Sequence, residues 1–486
     1  MALALFGLAL LTRLPFATTN LYAPDSVLYA RGMEMFDPFD QRPQPPGYLW
    51  YILLLRAVDF ATHDPNRAMT IVSALAGAAT VALVYVLASR LYDERTAKVS
   101  ALFMLTAVTF WAYGGVAYPY TLLAMLTTLC ALLLWRALDP AEPRTRRGLR
   151  LVGASIAWGL AIGFRSDLAI FLAPLWLLAA TRATIGTAAL SAGLVASLVA
   201  LWVFASGAAD GGVARFLEAV SAQSRFVDDR YSVFRNGPIA IYRNTYELGR
   251  FIGRGLYLLI PLAAATLISV DARRVELRDR WRTAFMVLWT FAPLPFYIFV
   301  HVGEYGYIFS MLPGLVIIAA RGAIALAKGL RMPRTFKWIV AGVVLSNAAI
   351  FLLSDTPISA RDIARHDRGI DEKVAYLASF PRDSTQVVTA FDDVLVNNYL
   401  HGPAVLRYDP IANGAFVASL ACDAVASYKP CANTDVDVVL WDDLLRAVGP
   451  DWQEIRMPHG GRLRIAHVSR SASLRVSEGL GVEIVR

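Results

Sequence analysis

The sequence predicts a polytopic α-helical membrane protein with a small α/β domain at its C-terminal end. Of its 486 residues, 57% are hydrophobic and only 17% are charged, and the mean hydropathy is +0.49. A soluble chain carries about 25% charged residues. Several apolar runs also reach the ~20 residues that a helix needs to cross a bilayer. They include residues 69–91, 99–117, 120–138, 184–204, 251–270 and 338–353.

The basic residues lie in short segments between the apolar runs, which explains the net charge of +8 without a nucleic-acid partner. No basic stretch is interleaved with aromatic residues. An excess of Lys and Arg marks cytoplasmic loops, so we expect four such segments inside the cell. They contain Arg90, Arg95 and Lys98; Arg136, Arg144, Arg146, Arg147 and Arg150; Arg273, Arg274, Arg278, Arg280 and Arg282; and Arg321, Lys328, Arg331, Arg334 and Lys337.

These charges fit a cytoplasmic N-terminus only if residues 47–60 do not form a full span. That apolar stretch of ~14 residues is short for a crossing, so we expect an amphipathic or re-entrant helix on the outer face. The first segment lacks a basic leader and a small-x-small cleavage site, which favours a retained anchor over a signal peptide. About eleven spans result: 1–16, 67–91, 99–117, 119–138, 150–165, 168–182, 184–207, 251–270, 283–301, 306–321 and 336–353.

This topology divides the chain into a membrane domain, 1–353, and an extracytoplasmic domain, 354–486, in a membrane of the bacterial inner type. Two outer loops, 17–66 and 208–250, would lie above the bundle. The second is rich in Arg and Tyr, which are either solvated or available to an anionic substrate. In the C-terminal domain we expect short buried strands at 385–391 and 436–441 and helices at 371–379 and 392–400. This domain has no glycine-rich phosphate loop, and we assign it no catalysis.

The three cysteines do not form a metal-binding pattern. Cys130 lies in an apolar helix, where packing explains it. Cys422 and Cys431 lie in the polar C-terminal domain, where a disulfide and two free thiols remain equally open.

Asp25 is the main catalytic candidate. It follows the first apolar segment directly, and a carboxylate at a membrane surface is costly unless it has a function. The alternative is an N-cap for a helix over residues 26–35. Downstream, Gln44-Pro45-Pro46-Gly47 turns the chain toward the next apolar run, so the first outer loop is expected to carry an active site.

The order of several short motifs resembles the GT-C superfamily of membrane glycosyltransferases, and most closely its protein O-mannosyltransferase and aminoarabinose transferase branch. The similarity covers roughly residues 5–325. The motifs are Asp25-Ser26-Val27-Leu28-Tyr29-Ala30, Pro45-Pro46-Gly47-Tyr48, RAMTIVSALAG from Arg67 to Gly77, GLAIGFR from Gly159 to Arg165, and Glu304-Tyr305 followed by Pro313.

Two positions depart from that family pattern. Relatives often have an acid where this chain has Tyr118, before Pro119, and an acid or His where it has Gln44, before the Pro-Pro pair. We therefore expect Asp25 to act without a second carboxylate nearby, and the sequence supports neither a metal site nor another cofactor.

The resemblance implies a sugar donor carried on a polyprenyl phosphate, a glycan, lipid or protein acceptor, and an inverting transfer on the outer face of the bilayer. A carboxylate such as Asp25 would act as general base. A cation would stabilise the departing phosphate. Arg165 is the leading candidate for that cation, with Arg13 and Arg67 as weaker ones. A structural Arg165–Asp167 pair at a helix break is the alternative.

Five further residues are candidates for substrate contacts. Gln44 would bond a sugar or hold the loop, and Tyr118 would stack on or cap the site. His301, Glu304 and Tyr305 lie in a short outer turn without basic residues, where Tyr305 and Tyr307 are alternatively interfacial anchors.

Two other functions fit parts of the sequence. A transporter or flippase of a lipid-linked or anionic substrate would be expected to show internal repeats and a charge at mid-depth, and we find no such repeat. A scaffold that binds a partner through residues 354–486 is the third hypothesis. The sugar, the acceptor, metal dependence and the oligomeric state are not specified by the sequence.

Overall fold

The computed structural model describes residues 1–139, 142–269, 277, 279–330, 333–381, 384–400, 404–408, 415–420, 435–477 and 479–485. Cys422 and Cys431, and most of the predicted basic loop 271–282, lie outside the described residues. Cys130 is a buried free thiol, in agreement with the prediction that it packs within an apolar helix.

The chain forms two compact units. The first, here called the membrane unit, comprises Met1–Ala17 and Tyr29–Arg361; the second, the C-terminal unit, comprises Thr18–Leu28 and Asp362–Arg486. The membrane unit is helical, and the strands lie in the C-terminal unit. Helix α2, Pro24–Glu34, is divided between the two units after Leu28.

The helices of the membrane unit are named here in chain order. Three short 3₁₀ helices accompany them at Leu14–Phe16, Pro38–Asp40 and Tyr305–Ser310. The α-helices are α1 Ala2–Arg13, α2 Pro24–Glu34, α3 Leu49–Thr62, α4 Pro65–Leu91, α5 Glu94–Thr106, α6 Val108–Tyr113, α7 Tyr120–Leu138, α8 Arg144–Phe164, α9 Leu168–Ala180, α10 Ile185–Ala209, α11 Val213–Tyr231, α12 Val233–Asn236, α13 Pro238–Leu256, α14 Leu259–Ile268, α15 Arg280–Phe291, α16 Leu294–Phe299, α17 Leu312–Gly329 and α18 Pro333–Leu353.

Within the described residues, six helical segments are long and apolar enough to cross a membrane, and a seventh results if α13 and α14 count as one bent span. The six are Pro65–Leu91, Tyr120–Leu138, Ile185–Ala209, Arg280–Phe299, Leu312–Gly329 and Thr335–Leu353. The polytopic helical class predicted from the sequence is confirmed. The count of eleven crossings and the sidedness stay predictions.

Several predicted spans are interrupted, and here the sequence-based bounds are wrong. The run 99–117 is divided at Ala107 and its helix ends at Tyr113. The run 251–270 bends by 100° between α13 and α14. The run 283–301 remains one candidate span, Arg280–Phe299, with a short interruption before Leu294. The run 306–321 begins as a 3₁₀ helix rather than an α-helix. Residues 49–62 form the short helix α3, as expected, while the predicted loop 208–250 is largely helical.

Small residues let neighbouring helices of the membrane unit approach closely. A Cβ on Gly322 of α17 would lie 1.6 Å from the carbonyl oxygen of Leu262 in α14, and one on Gly115 would lie 2.4 Å from that of Phe16. Any side chain would force these backbones apart. Without water to drive apolar association, such close backbone packing is a main source of helix contact in lipid.

Among the described residues from 360 onward, the C-terminal unit has two sheets and two helices, α19 Ala360–Leu377 and α20 Asp393–Tyr399. One sheet has the order β2-β1-β4-β7-β6, in which β1 pairs parallel with both β2 and β4; the other has the order β3-β8-β9-β5. The strands are β1 Thr385–Thr389, β2 Ala404–Arg407, β3 Phe416–Ser419, β4 Val436–Leu440, β5 Arg446–Val448, β6 Gln453–Arg456, β7 Arg462–Val468, β8 Ser473–Val476 and β9 Gly481–Val485.

The alternating side chains of β1 and β4 build a core on each face of the five-stranded sheet. Val388 and Val438 pack into one core with strand residues of the second sheet, and Val387 and Val439 pack into another with Leu377 of α19. This two-residue period is the geometry of a pleated strand. The predicted strands 385–391 and 436–441 thus exist, and the predicted helix 371–379 is the end of a longer one that begins at Ala360.

Residues 18–28 are tied to α19 within the C-terminal unit. The Asp367 carboxylate accepts hydrogen bonds from the backbone N–H groups of Thr19 and Asn20, each at 2.9 Å. The backbone N–H of Leu21 donates to the Tyr399 hydroxyl at 2.8 Å. These bonds hold the segment that leads into α2.

Two carboxyl groups lie at the carboxyl ends of the parallel strands. Asp392 follows β1, and Asp442 follows β4 and accepts a 2.7 Å hydrogen bond from the Thr389 hydroxyl. The indole N–H of Trp441 donates to Asp392 at 3.3 Å. Burial, and then the charge of Asp442, raises the pKa of Asp392 from an ordinary 3.8 to about 7.

This raised pKa gives the C-terminal unit a defined pH dependence. Between about pH 4 and pH 7, folded Asp392 holds a proton that the unfolded chain has released, so stability falls as the pH rises through that window. Asp392→Asn should flatten the fall, measured as thermal unfolding of the full chain at a series of pH values. The neighbouring substitution Asp393→Asn, at a residue paired with Arg407, should leave the slope unchanged. Equal slopes in wild type and Asp392→Asn would contradict this assignment.

Candidate functional site

Arg165 is the centre of the candidate site and lies at the break between α8 and α9. Helix α8 ends at Phe164, and Arg165 takes an extended conformation, with φ −149° and ψ 111°. The residue is only 5% exposed. Its guanidinium donates to Asp167 through Nη2 at 2.8 Å and through Nε at 3.3 Å. Both residues of this bidentate pair lie in the break between α8, which ends at Phe164, and α9, which begins at Leu168.

Three tyrosine rings surround the Arg165 guanidinium. Its central carbon lies 5.2 Å from the ring centre of Tyr120 and 5.7 Å from those of Tyr48 and Tyr307. Ring faces are negative, so they stabilise a buried cation by cation–π attraction. Tyr48 precedes α3, Tyr120 opens α7 and Tyr307 lies in the 3₁₀ helix 305–310. Four separate parts of the chain therefore meet at one charge.

Glycines allow these turns to converge. A Cβ on Gly306 would lie 2.1 Å from Tyr120 Cγ, so the 3₁₀ helix rests directly on that ring. Gly47 has φ +85°, a conformation that favours glycine, and a Cβ there would lie 2.7 Å from Pro38 Cγ. Both positions admit only glycine without displacing a residue of the site.

Gln44 reaches the cluster through Tyr29. Its side-chain nitrogen donates to the Tyr29 hydroxyl at 3.3 Å, and the Tyr29 ring packs edge-on against Tyr48 at 5.6 Å. The other side-chain atom, Gln44 Oε1, is buried without a hydrogen-bond partner among the described residues. Leaving a buried acceptor without a hydrogen bond costs free energy. Gln44 Oε1 is therefore able to accept a hydrogen bond from the hydroxyl group of a ligand.

Tyr118 and Glu304 reach the cluster through Tyr113. The rings of Tyr118 and Tyr113 stack at 5.8 Å, and Tyr118 lies 5.2 Å from Tyr120. The Tyr113 hydroxyl donates to Glu304 Oε2 at 3.3 Å. Tyr118 is nearly fully buried and packs against the rings of Tyr113 and Tyr120. Glu304 places a carboxylate at the edge of this group of tyrosines.

His301 precedes the 3₁₀ helix Tyr305–Ser310, and Tyr305 is its first residue. The His301 ring lies 5.4 Å from Tyr307 and 4.5 Å from Tyr231. Burial, followed by the charge of Arg243, lowers the pKa of His301, which follows the apolar helix ending at Phe299, to about 4. Its imidazole is therefore neutral at pH 7. The Tyr305 hydroxyl accepts a hydrogen bond from Arg254, and its ring packs on Phe251.

Asp25 lies in the first turn of α2 and is half-buried. Because the helix begins at Pro24 and the N–H of Ser26 bonds to the carbonyl of Ala23 at 2.9 Å, Asp25 is inside the helix. The alternative of an N-cap for a helix starting at residue 26 is wrong. A carboxylate in the first turn is still favoured by the helix dipole.

The structure places the other two basic candidates away from this cluster. Arg67 has a side chain that is 74% exposed and pairs with Asp64 at 3.5 Å. Arg13 is fully buried, and its two terminal nitrogens donate to the backbone carbonyls of Ala9 and Leu105, while its Nε has no hydrogen-bond partner among the described residues. A Cβ on Gly114 would lie 2.7 Å from Arg13 Cδ, so Arg13 fills a slot between helices.

Sequence reasoning did not single out Tyr29, Tyr48, Tyr113, Tyr120 or Tyr307 as site residues. The sequence feature that could have identified them is their position, because each lies within or close to one of the motifs or turns described above. The spacing of aromatic residues along the chain does not tell which rings share a cation. That depends on helix packing.

The cluster has the chemistry of an anion-binding site. A guanidinium has five N–H donors, and Asp167 takes one from Nε and one from Nη2. The remaining donors could bind phosphate oxygens by charge-assisted hydrogen bonds. The surrounding rings lower the local dielectric constant, which strengthens that attraction.

Removing the carboxylate of the buried pair should be far more damaging than removing that of an exposed pair. Asp167→Asn leaves a buried cation without its partner and should destabilise the fold by about 3–5 kcal/mol. Asp64→Asn, at the exposed pair with Arg67, should have little effect, because Asn also caps a helix well. Thermal unfolding of both variants in one detergent makes the comparison. Similar losses in the two variants would be inconsistent with the proposed importance of Arg165 burial.

Residues 43–207 match the family model described as dolichyl-phosphate-mannose-protein mannosyltransferase. This range includes Gln44, Tyr48, Tyr118, Tyr120 and Arg165, whereas Asp25 and residues 301–307 lie outside it. Among curated proteins, no sequence matches the chain significantly.

Solved structures match over most of the chain. ArnT from Cupriavidus metallidurans bound to undecaprenyl phosphate aligns with a TM-score of 0.50 and 15% identity, over 96% of each chain. An oligosaccharyltransferase from Archaeoglobus fulgidus, tethered to an acceptor peptide, aligns with a TM-score of 0.52 and 14% identity, over 83% of this chain and 63% of its own. At such low identity the likeness concerns the fold. The resemblance expected from the motifs is thus confirmed: the chain has the fold of the GT-C membrane glycosyltransferases, and residues 43–207 carry the mannosyltransferase family pattern.

Proposed function

We propose that this protein is a membrane glycosyltransferase that moves a sugar from a polyprenyl-phosphate donor to an acceptor hydroxyl on the outer face of the bilayer. The observation that carries the proposal is the buried Arg165 guanidinium among Tyr48, Tyr120 and Tyr307, which offers a cation with open donors to a phosphate. ArnT, which has the same fold, is described bound to undecaprenyl phosphate, and the matching family model names dolichyl-phosphate-mannose. Both point to a lipid-phosphate donor.

In the proposed reaction, the acceptor oxygen forms a bond to the anomeric carbon as the bond from that carbon to the phosphate oxygen breaks. The acceptor proton passes to the Asp25 carboxylate, and the lipid phosphate leaves with the bonding electron pair. A single displacement inverts the anomeric centre. The proposal for Asp25 is supported by its half-buried carboxylate and by its motif in the first outer loop.

Arg165 stabilises the charge that develops on the leaving phosphate. Asp167 holds the guanidinium in one orientation, so little reorganisation is needed during the reaction. Gln44 Oε1 and the carboxylate of Glu304 are the acceptors that we assign to sugar hydroxyls, because one has no partner among the described residues and the other lies at the edge of the tyrosine cluster. His301, neutral at pH 7, contributes a hydrogen bond rather than a charge.

Replacing Asp25 by Asn removes the base and keeps the shape of the side chain. Turnover should fall about 100- to 10,000-fold, with a smaller change in KM, in an assay of transfer from a polyprenyl-phosphate sugar by purified protein. Asp59→Asn, at another half-buried aspartate, which lies in α3 of the same outer segment, is the matched control. Full turnover in Asp25→Asn would refute the general-base assignment. Donor movement across proteoliposomes without transfer would instead favour a flippase.

Replacing Arg165 by Lys keeps the charge but loses the planar fork that engages Asp167 and phosphate together. Binding of undecaprenyl phosphate should weaken about tenfold, equivalent to one charge-assisted hydrogen bond. Arg67→Lys, at the exposed arginine, should bind as the wild type does. Thermal unfolding of both variants separates lost binding from lost fold. Unchanged affinity in a folded Arg165→Lys variant would rule out this phosphate site.

A further inference from the structure

The C-terminal unit contains a cavity of about 420 Å³ that the proposed transfer reaction does not use. It lies at the carboxyl ends of β1 and β4, where Asp392 follows β1 and Trp441, Asp442 and Asp443 follow β4. The chain leaves β1 to form β2 on one side and later returns to form β4 on the other. In open α/β sheets, ligands bind at such switch points of strand order.

One face of α19 forms the wall of the cavity. Arg365, Gly369 and Lys373 are spaced at four-residue intervals and therefore lie on the same side of the helix. The turn between β6 and β7 closes the other side. Gly460 there has φ +96°, and a Cβ on it would lie 3.2 Å from Arg365 Cδ. The turn thus brings Arg462 to the cavity, and a side chain at residue 460 would be strained by the backbone conformation and would crowd Arg365.

The charges that line the cavity nearly balance. Three are basic, from Arg365, Lys373 and Arg462, and four are acidic. The acidic residues are Asp362, Asp392, Asp442 and Asp443. Neither a strongly anionic nor a strongly cationic ligand is favoured by such a lining. It favours a neutral molecule that both donates to carboxylates and accepts from guanidinium and ammonium groups.

The polar groups are fixed in place before any ligand binds. Asp442 is held by the Thr389 hydroxyl and by the backbone N–H of Ala390. The Lys373 ammonium donates to the Trp441 carbonyl at 2.8 Å and lies 5.0 Å from the Trp441 ring centre. Burial and the charge of Asp442 raise the pKa of Asp392 to about 7, so this group can donate when it is protonated and accept when it is ionised. Preorganised groups of this kind give orientation and specificity to a small-molecule site.

Two other ligand classes fit less well. Among the described residues, no group of three His, Cys, Asp or Glu side chains has the arrangement needed for a metal ion. A phosphate ligand would meet carboxylates from both strand ends. A hydroxyl group is both a donor and an acceptor, so a molecule with several hydroxyls matches alternating acids and bases best.

We propose that this cavity is a carbohydrate-binding site, separate from the Arg165 cluster, that takes about one or two sugar rings. Its volume is at the lower end of the roughly 300–1,000 Å³ of ligand pockets. Sugar hydroxyls bond to the Asp392 and Asp442 carboxyl groups and to the guanidinium groups of Arg365 and Arg462, all of which line the cavity. The proposal does not depend on the transfer reaction, because neither Asp25 nor Arg165 lines the cavity.

The test is a glycan array with the purified full chain, in a detergent without a sugar headgroup. Titration calorimetry with glucose, mannose, galactose, maltose and cellobiose up to about 10 mM follows, since single sugars commonly bind weakly. Saturable binding of at least one glycan is expected. Arg365→Ala and Arg462→Ala should weaken it about tenfold, the loss of one charge-assisted hydrogen bond.

Arg368→Ala is the matched control, because Arg368 is an exposed arginine on the same helix that does not line the cavity. It should bind as wild type, and Asp25→Asn should as well. Three outcomes would each overturn the proposal. They are no binding to any glycan on the array, equal binding by wild type and the folded Arg365→Ala and Arg462→Ala variants, and loss of binding in Asp25→Asn. Unchanged thermal unfolding of the variants shows that the unit is intact.

Discussion

The burial of one guanidinium group is the constraint on which the membrane unit depends. Removing a cation from water costs several kcal/mol unless partners replace the hydration. At Arg165 those partners are one carboxylate, two residues along the chain, and three ring faces from distant segments. The carboxylate lies in the helix break after Phe164, and the rings require three turns to end at the same place. Glycines 47 and 306 make those turns possible.

The two buried arginines of the membrane unit show how the surroundings of a charge decide its role. Arg13 and Arg165 have almost the same exposure. Arg13 donates to backbone carbonyls in a slot closed by glycines, which fixes α1 against its neighbours. Arg165 is bound by a carboxylate at one edge and lies among aromatic faces, and Asp167 uses only two of its five donors. The same residue type thus serves packing in one place and anion recognition in the other.

The C-terminal unit follows a different rule, set by the sheet. Parallel strands end at a common edge, so residues that follow β1 and β4 meet although about fifty positions separate them. That edge gathers Asp392, Asp442 and Lys373 into one half-buried group. Burial raises the pKa of Asp392, and the charge of the nearby Asp442 carboxylate raises it further. The cavity is thus lined by acidic residues that follow different strands, and no continuous sequence motif marks it.

The sequence by itself determined the membrane class, through composition, and the candidate residues, because charges and prolines stand out between apolar runs. Of those candidates, Arg165, Gln44, Tyr118, Glu304 and His301 meet in one cluster, whereas Arg13 and Arg67 do not. Only the tertiary structure decided this, and it also decided the breaks within runs such as 99–117 and 251–270. An entirely apolar run has no periodicity that marks a bend, and the proximity of rings from distant turns is set by how helices pack, which no local pattern encodes.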